Sequence, residues 1–351
     1  MIEIQVPARI CLFGDHQDYL GLPVIAAAID RFIHIRATPN DRKVFAVHLE
    51  DLGERFEISL EEGLGRVEAG DYFRSALSVL KQEGLGFEKG YDLGISGNIP
   101  INAGLSSSSA LLVAWIRFLA VVQSGEREYD DVQIGKWAYA AEVLYFDSPG
   151  GLMDQYTIAQ GGLLYIDTRN GESQRLKDPG FLWVVAESGL AKKTLEVLKN
   201  ARVYAQNALE AVKRADPNFV LEQARASDYG RYLQFVPEPY GEHWYACIHN
   251  YQITLAAREE LLSELPNPRI LGNLMNDHQK ILQEQIQNTP VEMARMMDSA
   301  RMAGALGTKT IGSGGGGCML ALVEAADLDR VKEAFMTAGA KAAYGVRISD
   351  W

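Results

Sequence analysis

Apolar and polar residues alternate along much of the first hundred positions. "IEIQVPARICLFG" near the start, "FIHIRATP" from Phe32, "VFAVHLED" from Val44 and "RFEISLEE" from Arg55 carry the period of two expected of strands with one buried face. "DYFRSALSVLKQEG" changes to a helical period and ends at Gly84, and "GYDLGISGNIP" reads as another strand. From Ala110 to about Val122 the chain is apolar on nearly every side, which predicts a helix buried at the centre of a domain. "IGKWAYAAEVLYF" predicts a second helix, and "GGLLYIDTR" a strand after a tight Gly–Gly turn.

The pattern changes after "RLKDPGF" (175–181), a charged turn with Pro and Gly. That turn predicts a boundary between domains covering 1–178 and 179–351. Beyond it helices dominate: a long amphipathic one in "LAKKTLEVLKNARVYAQNALEAVKRA", a weaker one in "LEQARASDYGRYLQF", and three more between residues 250 and 305. The Pro-bearing segments "VPEPYGEHW" and "ELPNPRI" read as loops between them. "KTIGSGGGGCMLALVEAADLDRVKEAFMTAG" then predicts strand, glycine loop, strand and helix. The fold class is mixed α/β (α+β) in two domains.

A length of 351 residues suits two domains. The net charge of −12, with Lys and Arg dispersed, argues against nucleic acid and anionic membrane surfaces as partners. Cys11, Cys247 and Cys318 are far apart and form no CxxC pair, so neither a disulfide framework nor a thiolate metal site is expected. The N-terminus does not read as a signal peptide, and no apolar run nears the ~20 residues a bilayer demands. A soluble cytoplasmic protein, monomeric or weakly homo-oligomeric, is the expectation.

Three segments carry candidate chemistry. "GNIPINAGLSSSSALLVAW" (97–115) sets four serines at the start of the buried helix, where unpaired backbone N–H groups and the helix dipole favour an anion. Gly104 permits close approach, and Ser106 to Ser109 add donors or metal ligands; four serines exceed what capping requires. "GSGGGG" (312–317) formally matches GxGxxG, but a strand follows it rather than a helix, which argues against a dinucleotide fold and for close approach of the backbone to a ligand or to the other loop. There is no GxxxxGK[ST], and GxSxG fails because position 108 is Ser108. In "PARICLFGDHQDYLG" (7–21), Arg9, Asp15, His16, Asp18 and Tyr19 gather at a strand-to-loop junction. Carboxylates and an imidazole suit the vicinal hydroxyls of a sugar or polyol. Metal binding by this cluster is disfavoured, for it lacks the i, i+4 spacing of a helical pair.

These segments, in this order, resemble the signatures of the GHMP small-molecule kinases, and most closely the galactokinase branch. The resemblance rests on "PARICLFGDHQDYLGLPVIAAAI" (7–29), "PINAGLSSSSALLVA" (100–114), "AEVLYFDSPGGLMDQY" (141–156) and "TIGSGGGGCMLALV" (310–323). It implies an N-terminal α/β domain with a left-handed βαβ unit, a C-terminal α+β domain and an active site in the cleft between them. It also implies ATP as co-substrate, Mg²⁺ as cofactor and a small-molecule sugar as acceptor. Gly104, Leu105, Ser106, Ser107, Ser108 and Ser109 would wrap the ATP phosphates, with Ser108 and Glu142 holding the metal. Asp154 would be the catalytic base or orienter with Arg9 beside it, while Asp15, His16 and Asp18 hold sugar hydroxyls and Gly151 lines their pocket. Phosphoryl transfer needs alignment and charge neutralisation more than covalent help, which such a set supplies.

Departures from galactokinases bear on the acceptor, among them Gln17 in place of a Thr. Asp15 stands where Glu is usual, a carboxylate withdrawn by about 1.5 Å, and the Tyr-x-x-Arg pattern is missing, with Tyr204 its loose counterpart. The expectation is therefore the anomeric hydroxyl of galactose or of a related pentose, uronic acid or acetamido sugar. The rival readings are a mevalonate- or homoserine-type alcohol kinase and a non-catalytic sensor of sugar and ATP.

Overall fold

The computed structural model describes the whole chain except Glu62, Leu64, Arg66, Asn102, Glu126, Lys192 and Lys193, and the side chains of residues 194–199. Seven strands form the first sheet: β1 (Ile2–Phe13), β2 (Val24–Asn40), β3 (Val44–Leu49), β4 (Glu54–Ser59), β5 (Gly90–Gly97), β6 (Leu163–Asp167) and β7 (Glu172–Leu176). Their order is β4-β3-β5-β2-β6-β7, with β1 also paired to the long β2. All pairs are antiparallel except β3 with β5, whose connection carries helix α1 (Tyr72–Gln82). Register shifts at Pro7/Ala8 and Cys11/Phe13 bend β1, and Pro7, unable to donate to the ladder, sits at the first of them. The bend delivers Arg9 to the end of the sheet facing the cleft.

Helices α2 (Ser107–Val122), α3 (Asp131–Tyr139) and α4 (Met153–Gln160) complete this half. The central α2 is buried on nearly every side, as its composition predicts. Its Trp115 stands edge-on to Phe45 at 5.2 Å, stacks on Phe118 at 5.4 Å and donates Nε1–H to the carbonyl of Phe73. The helix starts inside the serine run, at Ser107. The second predicted helix is interrupted: residues Ala140–Leu144 continue α3 as a π-turn. α4 carries no readable apolar period and was not expected from the pattern.

A second sheet, order β11-β8-β10-β9, is built from β8 (Leu182–Glu187), β9 (Gly307–Thr310), β10 (Cys318–Val323) and β11 (Ala342–Val346). It is antiparallel throughout, and the glycine loop joins β9 to β10 as a hairpin. Around it lie α5 (Thr194–Ala215), α6 (Ala226–Tyr232), α7 (Gly241–Leu262), α8 (Pro268–Glu284), α9 (Val291–Met302) and α10 (Leu328–Thr337). The predicted entry into the long helix at Lys192 and Lys193 lies outside the described residues. α7 begins at Gly241, inside a segment whose prolines read as a loop; the single turn Glu238–Tyr240 runs straight into it. One apolar core joins the two sheets, taking in Ile10, Leu12, Trp115, Trp183, Ile311 and Leu320. Among the described residues no helix is long and apolar enough to cross a membrane, and Cys11, Cys247 and Cys318 are all buried.

Candidate active site

A cleft of about 310 Å³ opens where β1, α2 and α4 meet the glycine loop. It is lined by Arg9, Asp15, His16, Asp18, Gly104, Ser106 to Ser109, Glu142, Gly151 and Asp154, residues drawn from distant parts of the chain. Of the site residues that the resemblance implies, Leu105 alone is absent from the lining, its side chain being fully buried in the core; Tyr19 and Tyr204, which the sequence also singles out, do not line it either.

At the centre, the Arg9 guanidinium grips Asp154 with two parallel bonds, Nε to Oδ1 at 2.7 Å and Nη2 to Oδ2 at 2.8 Å. Its Nη1 donates to the carbonyl of Gly104 at 2.8 Å, tying the carboxylate to the loop before α2. Such bidentate pairs fix geometry as well as charge. Burial alone would weaken the charge on Arg9, and Asp154 more than offsets it. Ser106 donates its hydroxyl to Asp154 Oδ2 at 2.5 Å. It occupies the N-cap of α2 with φ +57°, a left-handed conformation unusual for serine, and makes no side-chain cap. A strained residue whose hydroxyl serves a carboxylate instead of its own helix fits a functional position better than a capping one.

The first turn of α2, whose N–H groups have no partner within the helix, lines the same cleft. Ser108 donates to Glu142 Oε1 at 3.2 Å, and Gln155 Nε2 donates to Oε2 at 2.6 Å. Glu142 sits on the π-turn, a device that re-aims side chains at functional sites. Burial pushes its carboxyl above the usual range, which a cation would reverse. Among the described residues no three His, Cys, Asp or Glu groups converge on a metal site. The donor set here is hard oxygen from one hydroxyl and one carboxylate, which fits Mg²⁺ completed by phosphate and water. Tyr72 lines this end, its phenol pushed up by burial and then by Glu142.

The other end is built by the loop after β1. Asp15 is buried, and both its oxygens are occupied: Oδ2 by Lys309 Nζ at 2.6 Å and Oδ1 by the N–H of Gly312 at 2.9 Å. Lys309 is itself fully buried and gives its other protons to the carbonyls of Cys11 and Thr310. Burial would raise the Asp15 carboxyl, but the ammonium beside it holds it below the usual range. His16, at φ +62°, brings Nε2 within 2.9 Å of the Ser313 carbonyl and 3.1 Å of Asn288 Nδ2. The first two polar residues of the loop are thus engaged with the glycine loop.

Asp18 is half-buried and accepts the N–H of Tyr19 at 2.9 Å. Burial, then the charge of Asp154, pushes its carboxyl up to about 6. Gly151 is explained by contact: a Cβ there would lie 2.0 Å from Asp18 Oδ2. Tyr204 is exposed, packed on Tyr240 and His243 away from the centre of the cleft. Sequence reasoning missed Lys309, Asn288, Gln155 and Tyr72. A signal existed for Lys309, a lone charge in the short strand "GTKT" just before the glycine loop.

Residues 71–162 match the family description "GHMP kinases N terminal domain", 257–341 match "GHMP kinases C terminal", and 3–39 match the "Galactokinase galactose-binding signature". A mevalonate kinase of Thermococcus onnurineus is 30% identical over 90% of this chain and 87% of its own length. A galactokinase of Thermococcus kodakarensis is 28% identical over 92% and 89%. Among solved structures, galactokinase from Lactococcus lactis complexed with galactose superposes with a TM-score of 0.84 at 22% identity, covering 99% of this chain and 93% of that one.

Proposed function

The chain belongs to the GHMP kinases, and from that premise we propose that it transfers the γ-phosphate of ATP to a monosaccharide hydroxyl, the anomeric one of galactose or a relative. The observation that carries this reading is the Arg9–Asp154–Ser106 junction, which sets a fixed carboxylate at the mouth of a serine-rich helix start. Phosphates on the N–H groups of α2 and a sugar against Asp18 would meet at Asp154.

In the proposed reaction the acceptor oxygen bonds to the γ-phosphorus as the bond to the β-phosphate oxygen breaks, releasing ADP. The acceptor proton passes to Asp154. Held by a guanidinium, Asp154 is a weak base, so it orients the hydroxyl first and takes its proton as transfer proceeds. Arg9 keeps the carboxylate in plane and, through Gly104, in register with the phosphate loop. Ser108 and Glu142 would hold Mg²⁺, which when bound neutralises charge on the phosphate oxygens. Asp18 accepts sugar hydroxyls, while Asp15 acts indirectly by holding the loop in place.

The match of residues 3–39 to the galactose-binding signature supports a sugar acceptor. Mevalonate is the second reading, favoured by the 30% identity to a mevalonate kinase. The test of the catalytic assignment is Asp154→Asn, assayed by ADP release and by ATP binding. We expect kcat to fall about 10²-fold or more with ATP binding nearly intact; near-full activity would overturn the role given to Asp154.

A further inference from the structure

Asn288, between α8 and α9, does not line the cleft, yet it is bonded to what does. Its Nδ2 donates to the carbonyl of Ser313 at 3.2 Å and lies 3.1 Å from His16 Nε2; Ser313 and His16 both line the cleft. Its own carbonyl accepts the N–H of Gly315 at 2.6 Å, and a Cβ at Gly314 would lie 2.5 Å from that carbonyl. The glycine loop is therefore seated directly on this residue. Asn288 is buried, although Gln287 before it is exposed and held at φ +57°. Such a left-handed turn costs strain, and here it is followed by a buried amide that serves the cleft.

A relay from α8 fixes the direction of each bond. The N–H of Thr310, on β9, donates to Gln279 Oε1 at 2.8 Å, so Gln279 presents Nε2 to Thr289 Oγ1 at 2.9 Å. That hydroxyl gives its proton to Asn288 Oδ1 at 3.1 Å, which leaves Nδ2 for the Ser313 carbonyl. Flipping either amide would set donor against donor or acceptor against acceptor. The Ser313 carbonyl can only accept, and His16 Nε2 lies 2.9 Å from it, so Nε2 carries the imidazole proton. In the neutral ring the lone pair is then on Nδ1, 3.4 Å from the Tyr19 hydroxyl.

We propose that Asn288 is a positioning residue for phosphoryl transfer: it holds the Ser313 carbonyl where that carbonyl orients the His16 ring, and so aligns the acceptor loop with the glycine loop. This is a second tie between the two loops, separate from the pair of Asp15 and Lys309. It rests on the cleft being the active site of the kinase and holds for a sugar or for mevalonate as acceptor.

The experiment joins ¹⁵N NMR of histidine-labelled protein, in mildly alkaline buffer, to steady-state kinetics. The His16 signals are identified among those of six histidines by their loss in His16→Gln. We expect the wild type to show Nε2 protonated and Nδ1 not, and Asn288→Leu to show both tautomers. Thr289→Val removes only the hydroxyl of the relay from a half-buried position, so it guards against poor folding of Asn288→Leu and should shift the ring the same way. Kinetics use Mg-ATP with galactose and with mevalonate. The acceptor KM should rise about tenfold in Asn288→Leu, the worth of one buried hydrogen bond, with the KM for ATP little changed. In a His16→Gln background the same substitution should add nothing to the acceptor KM. A wild-type ring protonated on Nδ1 alone, an unaltered tautomer in both variants, or equal losses for ATP and acceptor overturns the proposal. Turnover of mevalonate without galactose overturns the sugar reading and leaves this one standing. Turnover of neither overturns the proposed activity, and the ring signature still decides the role of Asn288.

Discussion

Lys309→Met removes a cation that the fold has buried completely. Its ammonium gives one proton to Asp15 and the others to the carbonyls of Cys11 and Thr310. Methionine fills much the same volume and returns none of these bonds, so Asp15 is left charged, 1% exposed at its side chain, still accepting the Gly312 N–H but without its ammonium partner. Breaking a buried pair in this way costs about 3–5 kcal/mol, which corresponds to a fall in Tm of roughly 4–7 °C for a chain of 351 residues. The sign with pH follows from Asp15. In the wild type its carboxyl is held below the usual range, so the stability it contributes is present above its unfolded pKa and is lost as pH falls through the lower folded value. In the variant burial is unopposed and the carboxyl rises, so acid relieves the defect. The Tm gap between variant and wild type should therefore narrow as pH drops from 7 towards 4. Asp15→Asn and the double variant complete a cycle, and Asp15→Asn/Lys309→Met should be more stable than the sum of the single losses by about 1 kcal/mol or more. A Lys309→Met Tm equal to that of the wild type, or additive losses in the cycle, would refute the buried pair as the tie between the acceptor loop and the glycine loop.

Three further outcomes are expected from the same cleft. Gly151→Ala drives a methyl into Asp18 and should raise the acceptor KM several-fold with little change in the KM for ATP; equal effects on both would remove the contact from the account. Because the Asp18 carboxyl is pushed up to about 6, acceptor KM should fall as pH rises through that value, and Asp18→Asn should abolish the dependence. Ser106→Ala loses the bond to Asp154 and should lower kcat by about tenfold, the worth of one hydrogen bond to a charged group. An unchanged kcat would leave the strained serine without a role.

The alternation that predicts β3 and β4 survives in the structure because those strands have one face on the core and one towards solvent, whereas β1 alternates only over its first four residues and is buried on both faces from Val6 to Phe13. α2 is legible because only a central helix can be apolar all round. α4 is short and buried on most sides, so it has no amphipathic period, and the π-turn at Ala140–Leu144 has no compositional mark. The cleft residues were visible as polar types in places where strands and helices do not want them: four serines at a helix start, and a carboxylate beside "GLM". Their mutual contacts were not. Asp15 and Lys309 are 294 positions apart, and nothing local to either foretells that the carboxylate would be spent on an ammonium. The difference matters, because the family resemblance assigns Asp15 to sugar hydroxyls, whereas both its oxygens are engaged within the protein.

The central claim is phosphoryl transfer to a sugar, and ³¹P NMR of the product tests it most directly. The protein would be incubated with Mg-ATP and, in separate tubes, galactose, galacturonate and mevalonate. The account predicts ADP together with a new phosphate-ester signal coupled to an anomeric proton in a sugar tube. A phosphate ester formed only from mevalonate would contradict it.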